Sequence, residues 1–199
     1  MSADSTSGGG RRDVIADAGI RIIARDGVRA LTHRAVDREA RLPLGSTSYH
    51  ARTRIALIEL IVDALAARTR IDTEALVMTG EGVDHDGRVP VDELAGSLSE
   101  LVDTLAARHD DMRARYALIL ELDDLPAIRR RLTGRSDVED VARLVAMRSL
   151  AGAGLPNTGV EVEDLLAITD SLVFYRTAIN PAVDIRRILD QYLRGAIVR

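Results

Sequence analysis

Apolar residues recur at intervals of three and four along most of this chain and seldom alternate. From Arg11 to Asp26 the positions Val14, Ala18 and Ile22 repeat every fourth residue, with Ile15 and Ile23 beside them. That is the stripe of an amphipathic helix, and Gly27 stands where such a helix takes a left-handed closing residue. Thr32–His50 behaves differently. Thr32 is a natural N-cap, and Ala35, Val36 and Ala40 follow at helical spacing. Pro43 has no N–H and turns Leu42 away from helical geometry, so this helix ends there. Gly45 and Ser46 then lead into a second short helix carrying Thr47, Ser48, Tyr49 and His50. Two short helices around a non-helical turn predict a helix-turn-helix. A solvated αα-corner with no ligand has the same pattern.

Beyond it the periodicity lengthens. Ile55–Met78 predicts a long helix with Leu57, Ile61, Ala64 and Arg68 on one face, and residues 79–90 read as a loop by their glycines, acids and final proline. Further helices are expected over Val91–Arg108, Asp110–Asp123, Pro126–Leu132, Asp137–Ala153, Val162–Ala178 and Asp184–Ile197. Asp137–Ala153 is apolar on more than one side, so it must bury two faces. The expected fold is all-α, with about nine or ten helices in 199 residues. Residues 1–10 are expected to be a disordered tail, 11–54 a small three-helix unit, and 55–199 a larger helical domain.

Composition narrows the chemistry. There is no cysteine, which removes disulfides and thiolate metal sites. The four histidines, His33, His50, His85 and His109, have neither metal nor triad spacing, and no phosphate-binding glycine loop is present. Asp84-His85-Asp86 lacks a partner histidine at ligand distance, so a solvated loop is the expectation there. No metal, cofactor or enzymatic activity is expected. Neither a secretory leader nor an apolar run of membrane-spanning length is seen, so a cytoplasmic protein is expected. The net charge of −4 hides an asymmetry: residues 1–54 hold ten arginines against six acids, and the remainder is acidic. A basic end on an acidic body suits a chain that offers one end to a polyanion.

The order of these parts resembles the TetR family of bacterial transcriptional regulators. Ala18, Gly27, Leu31-Thr32, Val36, Ala40, Leu42 and Gly45 match its N-terminal unit, and Thr53-Arg54-Ile55-Ala56-Leu57 matches the start of its fourth helix. Asp37 departs from the usual alanine, and Arg41 from the usual turn glycine. Ser48 stands where the recognition helix commonly has tyrosine, and Ala51 where it has phenylalanine, so that Tyr49 is one residue off. The resemblance implies an N-terminal helix-turn-helix DNA-binding domain and a C-terminal helical domain for ligand binding and dimerisation. It further implies a ligand-responsive dimeric repressor on a palindromic operator. A helical effector-binding or interaction protein that has lost specific DNA binding is the alternative.

For contact with double-stranded DNA the candidates are Thr32, His33 and Arg34 at the start of the first short helix. Leu44, Gly45, Ser46, Thr47, Ser48, Tyr49 and His50 follow in the second, with Arg52 and Arg54 beyond it. Short hydroxyl side chains reach base edges or phosphates, and arginines clamp the backbone. A homodimer is expected through the helices at 137–153 and 162–178, which two copies would build into a four-helix bundle. For an unknown small-molecule effector, His109, Met112, Tyr116, Arg148 and Phe174 are the candidates, with core packing as the competing role of each.

Overall fold

The structure is a computed structural model that describes residues 6–78, 88–133 and 137–196. Among the described residues there are ten α-helices, one 3-10 turn and no strand. The helices are α1 (Thr6–Asp26), α2 (His33–Glu39), α3 (Ser46–His50), α4 (Arg54–Met78) and α5 (Val91–Ala107), with the 3-10 turn Val28–Ala30 between α1 and α2. There follow α6 (His109–Glu121), α7 (Pro126–Thr133), α8 (Asp137–Gly152), α9 (Gly159–Ala178) and α10 (Ile185–Ala196). The Asp84-His85-Asp86 run lies outside the described residues.

The chain divides into two compact units. Met1–Arg68 and Asp110–Ser136 form the first, Thr69–His109 and Asp137–Arg199 the second. This cut differs from one at residues 54 and 55, because α6 and α7 pack with the N-terminal helices although they follow α5 in the chain.

In the first unit α1 is the central strut. It begins at Thr6 and so takes in residues 6–10, which were expected to be tail; extending a helix that is already docked needs one hydrogen bond per residue and no new nucleus. Its buried face is rotated from the expected stripe. Val14 is exposed, whereas Ile15, Ala18, Ile22 and Ile23 are buried with Leu31, Val36, Leu57 and Ile61. Gly19 lies on this face. A Cβ there would come within 2.9 Å of Ile61 Cγ1 and nearer still to its Cδ1, so glycine sets how closely α1 and α4 approach. Ala114 and Leu118 of α6, with Ile128 and Leu132 of α7, complete the core. The Arg68 guanidinium of α4 pairs with Asp17 of α1 and with Asp111 of α6, the latter at 3.0 Å, and ties three helices together.

In the second unit α5 packs against α9 and α10, and α8 against α9. Leu94, Leu98, Val102 and Leu105 of α5 are buried, as are Ile185, Leu189 and Leu193 of α10, at the three- and four-residue spacing of a single face. Arg176 of α9 pairs with Asp103 of α5 at 2.8 Å. Arg143 of α8 pairs with Glu163 of α9 and with Glu139 on its own helix.

Candidate nucleic-acid interface

Thr32 starts α2 as expected, its hydroxyl accepting the Ala35 N–H at 3.1 Å. The helix ends at Ala40, and Arg41 takes the left-handed conformation at φ 54°. The Leu42 N–H reaches the Asp37 carbonyl at 2.8 Å and the Arg41 N–H the Arg38 carbonyl at 3.2 Å. These two bonds make a Schellman C-cap with an arginine where glycine is the usual residue. Gly45 is left-handed as well, at φ 94°. Between these two residues the chain reverses and opens α3.

A helix of five residues has almost no stability of its own, so tertiary contacts must hold α3. One carboxylate does most of this. Asp37 is 1% exposed. It accepts the Gly45 N–H at 2.7 Å, the Thr47 N–H at 2.8 Å and the Thr47 hydroxyl at 2.6 Å. Burial pushes this carboxyl up, but the hydrogen bonds from Thr47 and Gly45, with His33 nearby, outweigh it and hold Asp37 below its ordinary value. A carboxylate facing the first N–H groups of a helix is also favoured by the helix dipole. The far end of α3 is fastened by His33, whose Nε2–H donates to the Ala51 carbonyl at 2.6 Å. Glu39 binds α2 back to α1 through Arg21 and Arg25 at 2.9 and 3.2 Å. The bond from Arg21 holds the Glu39 carboxyl down against a smaller opposing effect of burial, and Arg25 adds to it.

Three of the expected DNA contacts have partners within the chain. Thr47 is 0% exposed, and its hydroxyl is taken up by Asp37, so it cannot reach a base. His33 is half-buried and serves the α3 carbonyl. Arg54 donates to the carbonyls of Val28, at 2.7 Å, and of Leu31, which closes the 3-10 turn. Ser46 is partly engaged too, its hydroxyl donating to Pro43 at 2.7 Å. Thr32, Arg34, Ser48 and Arg52 are exposed, as are Leu44 at 76% and Tyr49 at 83%. Gly45 offers only backbone, and His50 is half-buried with its ring in a T-shaped contact with Tyr49, centroids 5.2 Å apart.

Arg38 and Arg41 stand outside the expected contacts. Both are exposed beside the turn and, like Arg34 and Arg52, form no ion pair among the described residues. Asp37 is more than a departure from the family pattern, since it holds three donors. The available signal was an acid in α2 eight residues before a glycine that opens a helix, a spacing that can bring a carboxylate to free N–H groups.

The effector candidates divide between the units. Met112, buried, and Tyr116, half-buried, lie one turn apart on α6 in the first unit. His109, Arg148 and Phe174 belong to the second and are exposed. Among the described residues no cluster of three or more acids and histidines is placed to hold a metal ion. Nor is any described helix long and apolar enough to cross a membrane.

An all-helical chain with a pinned helix-turn-helix near its N-terminus has the architecture of a helix-turn-helix regulator. The profile described as "Tetracyclin repressor-like, C-terminal domain" matches residues 89–199, more than half of the chain. The chain belongs to the TetR family of transcriptional regulators. Solved structures agree in fold. A transcriptional regulator from Rhodococcus sp. Rha1 (RHA1_ro04179) is similar at a TM-score of 0.68 and 20% identity, over 94% of this chain and 96% of that one. A TetR-family member from Streptomyces coelicolor A3 (SCO1917) gives 0.64 and 24%, over 94% and 97%. The multidrug binding protein EbrR, complexed with imidazole, gives 0.61 and 24%, over 94% and 89%. No match is found among curated protein sequences.

Proposed function

We propose that this chain is a ligand-responsive repressor that binds a palindromic operator as a homodimer. The observation that carries the reading is the short α3, pinned through Thr47 on one side and exposing Ser48 and Tyr49 on the other, with unpaired Arg34, Arg38, Arg41 and Arg52 around it. A helix held rigidly by its inner face and ringed by cations suits insertion into a major groove, the arginines neutralising phosphates and setting register.

One such unit buries too little surface for tight specific binding, which supports a dimer. The helices α8 and α9 bury Val145, Leu150, Val162, Leu165 and Leu172 within the second unit, yet leave Leu144, Met147, Val160 and Phe174 largely exposed. An apolar outer face on these two helices suits pairing with a second copy, and it favours the interface over the effector site for Phe174. EbrR, also solved with ethidium and with proflavin, supports a small organic molecule as effector. Because α4 runs without a break from the first unit into the second, it is the element through which binding would alter the roughly 34 Å spacing of paired reading helices. The effector must bind the two arrangements unequally, or the equilibrium does not move.

A gel shift and footprint with the full-length protein on DNA flanking its own gene test this. A salt-dependent complex protecting a near-palindrome, weakened at least tenfold by Tyr49→Ala with Arg34→Ala, is the expected result. Weak binding blind to sequence would favour a helical interaction protein without operator specificity.

A further inference from the structure

Resting on that reading, the chemistry of the α3 surface narrows what it can recognise. We infer that the operator is read through the 5-methyl groups of thymine, by Tyr49 and Leu44, and not by paired hydrogen bonds to purines. Recognising guanine by two bonds takes arginine or lysine, and adenine takes asparagine or glutamine. The segment Leu44-Gly45-Ser46-Thr47-Ser48-Tyr49-His50 contains none of these four. Its polar groups are mostly engaged already. The Thr47 hydroxyl goes to Asp37, the Ser46 hydroxyl goes to Pro43, and the His50 ring is half-buried against Tyr49. Ser48 remains, and a hydroxyl that both donates and accepts distinguishes bases poorly.

What α3 and its turn do offer is apolar surface. Leu44 and Tyr49 are the two most exposed large apolar side chains among the described residues, at 76% and 83%. Tyr49 lies two residues beyond the buried Thr47, hence on nearly the opposite side of the helix. Neither side chain contributes to the core, so contact with an apolar atom on the partner is their main source of favourable burial. In the major groove the apolar atom is the thymine C5-methyl. The exposed arginines Arg34, Arg38, Arg41 and Arg52 lie outside α3 and suit phosphates.

The test uses full-length protein and the tightest-binding duplex selected from a randomised pool. Each thymine of the half-site is replaced singly by deoxyuridine, which removes only the methyl. The expected result is a loss of about fourfold in affinity at one or two positions per half-site, the effect of withdrawing one buried methyl. Tyr49→Ala or Leu44→Ala should bind the thymine and uracil duplexes alike at the affected position. Specific binding that no uracil substitution weakens overturns the inference while leaving the regulator reading intact. So does sensitivity to 7-deazaguanine that vanishes in Arg41→Ala. A selection that enriches no sequence overturns both.

Discussion

Removing the Asp37 carboxylate tests whether it, and not the apolar core, holds α3 in place. In Asp37→Ala three donors lose their acceptor. Their environments decide the cost. The Gly45 N–H is only partly buried, so water replaces the lost bond at little expense. The Thr47 N–H and hydroxyl are buried, and each stranded donor costs about 1–3 kcal/mol. The expected loss is therefore about 2–6 kcal/mol, a large share of a typical domain's stability. Urea unfolding followed by circular dichroism measures it, and amide exchange at Thr47 assigns it to α3. Thr47→Val, which keeps the shape and removes the hydroxyl, should cost less, because the carboxylate retains both backbone donors. The two changes share one contact, so the double variant should fall short of additivity by about 1–3 kcal/mol. A loss under about 0.5 kcal/mol for Asp37→Ala, or strict additivity, would refute the pin.

The same carboxylate makes an acid prediction of definite sign. Its value in the folded chain lies below the ordinary one, so the folded state favours the ionised form. The stability it contributes is complete above the unfolded value of about 3.9. It is lost as pH falls from there through the lower folded value. The stability gap between the natural chain and Asp37→Asn should accordingly shrink across that window and stay level above about pH 5. Taking the difference between the two proteins cancels Glu39 and Asp190, whose carboxyls are also held low by arginine partners. A gap that widens on acidification would contradict the assignment.

Arg41→Gly should raise stability by about 1 kcal/mol in thermal unfolding, because glycine occupies the left-handed region without the Cβ penalty that Arg41 bears at φ 54°; a decrease would mean that the guanidinium does something the turn needs. Gly19→Ala should cost about 1–3 kcal/mol by forcing Ile61 out of place, and adding Ile61→Val, which removes Cδ1, should recover part of it. Arg68→Met should destabilise the first unit by about 2 kcal/mol in the same assay, since it withdraws the guanidinium facing an Asp111 side chain that is only 10% exposed; the figure is kept low because Arg68 is itself a third exposed.

The helices were readable because burial imposes a period, and a period survives without coordinates. In α5 and α10 the buried residues Leu94, Leu98, Val102 and Leu105, and Ile185, Leu189 and Leu193, recur at helical spacing. Where the stripe was broad the phase slipped, as in α1, whose apolar residues also fit a face rotated to exclude Val14. Polar side chains at the turn were less readable for a different reason. A hydroxyl, imidazole or guanidinium declares what it can bond, but not which partner the fold will bring to it. Thr47, His33 and Arg54 all had the chemistry of a DNA contact, and all three were met first by a carboxylate or a carbonyl of their own chain. The cost of Arg41 was legible, since a required positive φ penalises any side chain whatever surrounds it.

These corrections separate two tasks that the sequence runs together in one short stretch. Asp37, Thr47, His33 and Arg54 position α3 or the turn before α2 and have partners within the chain, so changing any of them acts by way of the fold. Leu44, Ser48, Tyr49, Arg34, Arg38 and Arg52 contribute almost nothing to the core, so changing them should leave unfolding within about 0.5 kcal/mol. A five-residue helix can be both rigid and free to vary only under such a division, because its inner and outer faces are a mere two residues apart. On the proposed reading this constrains operator preference: the outer face can be rewritten one residue at a time, provided that the carboxylate beneath it keeps its three donors.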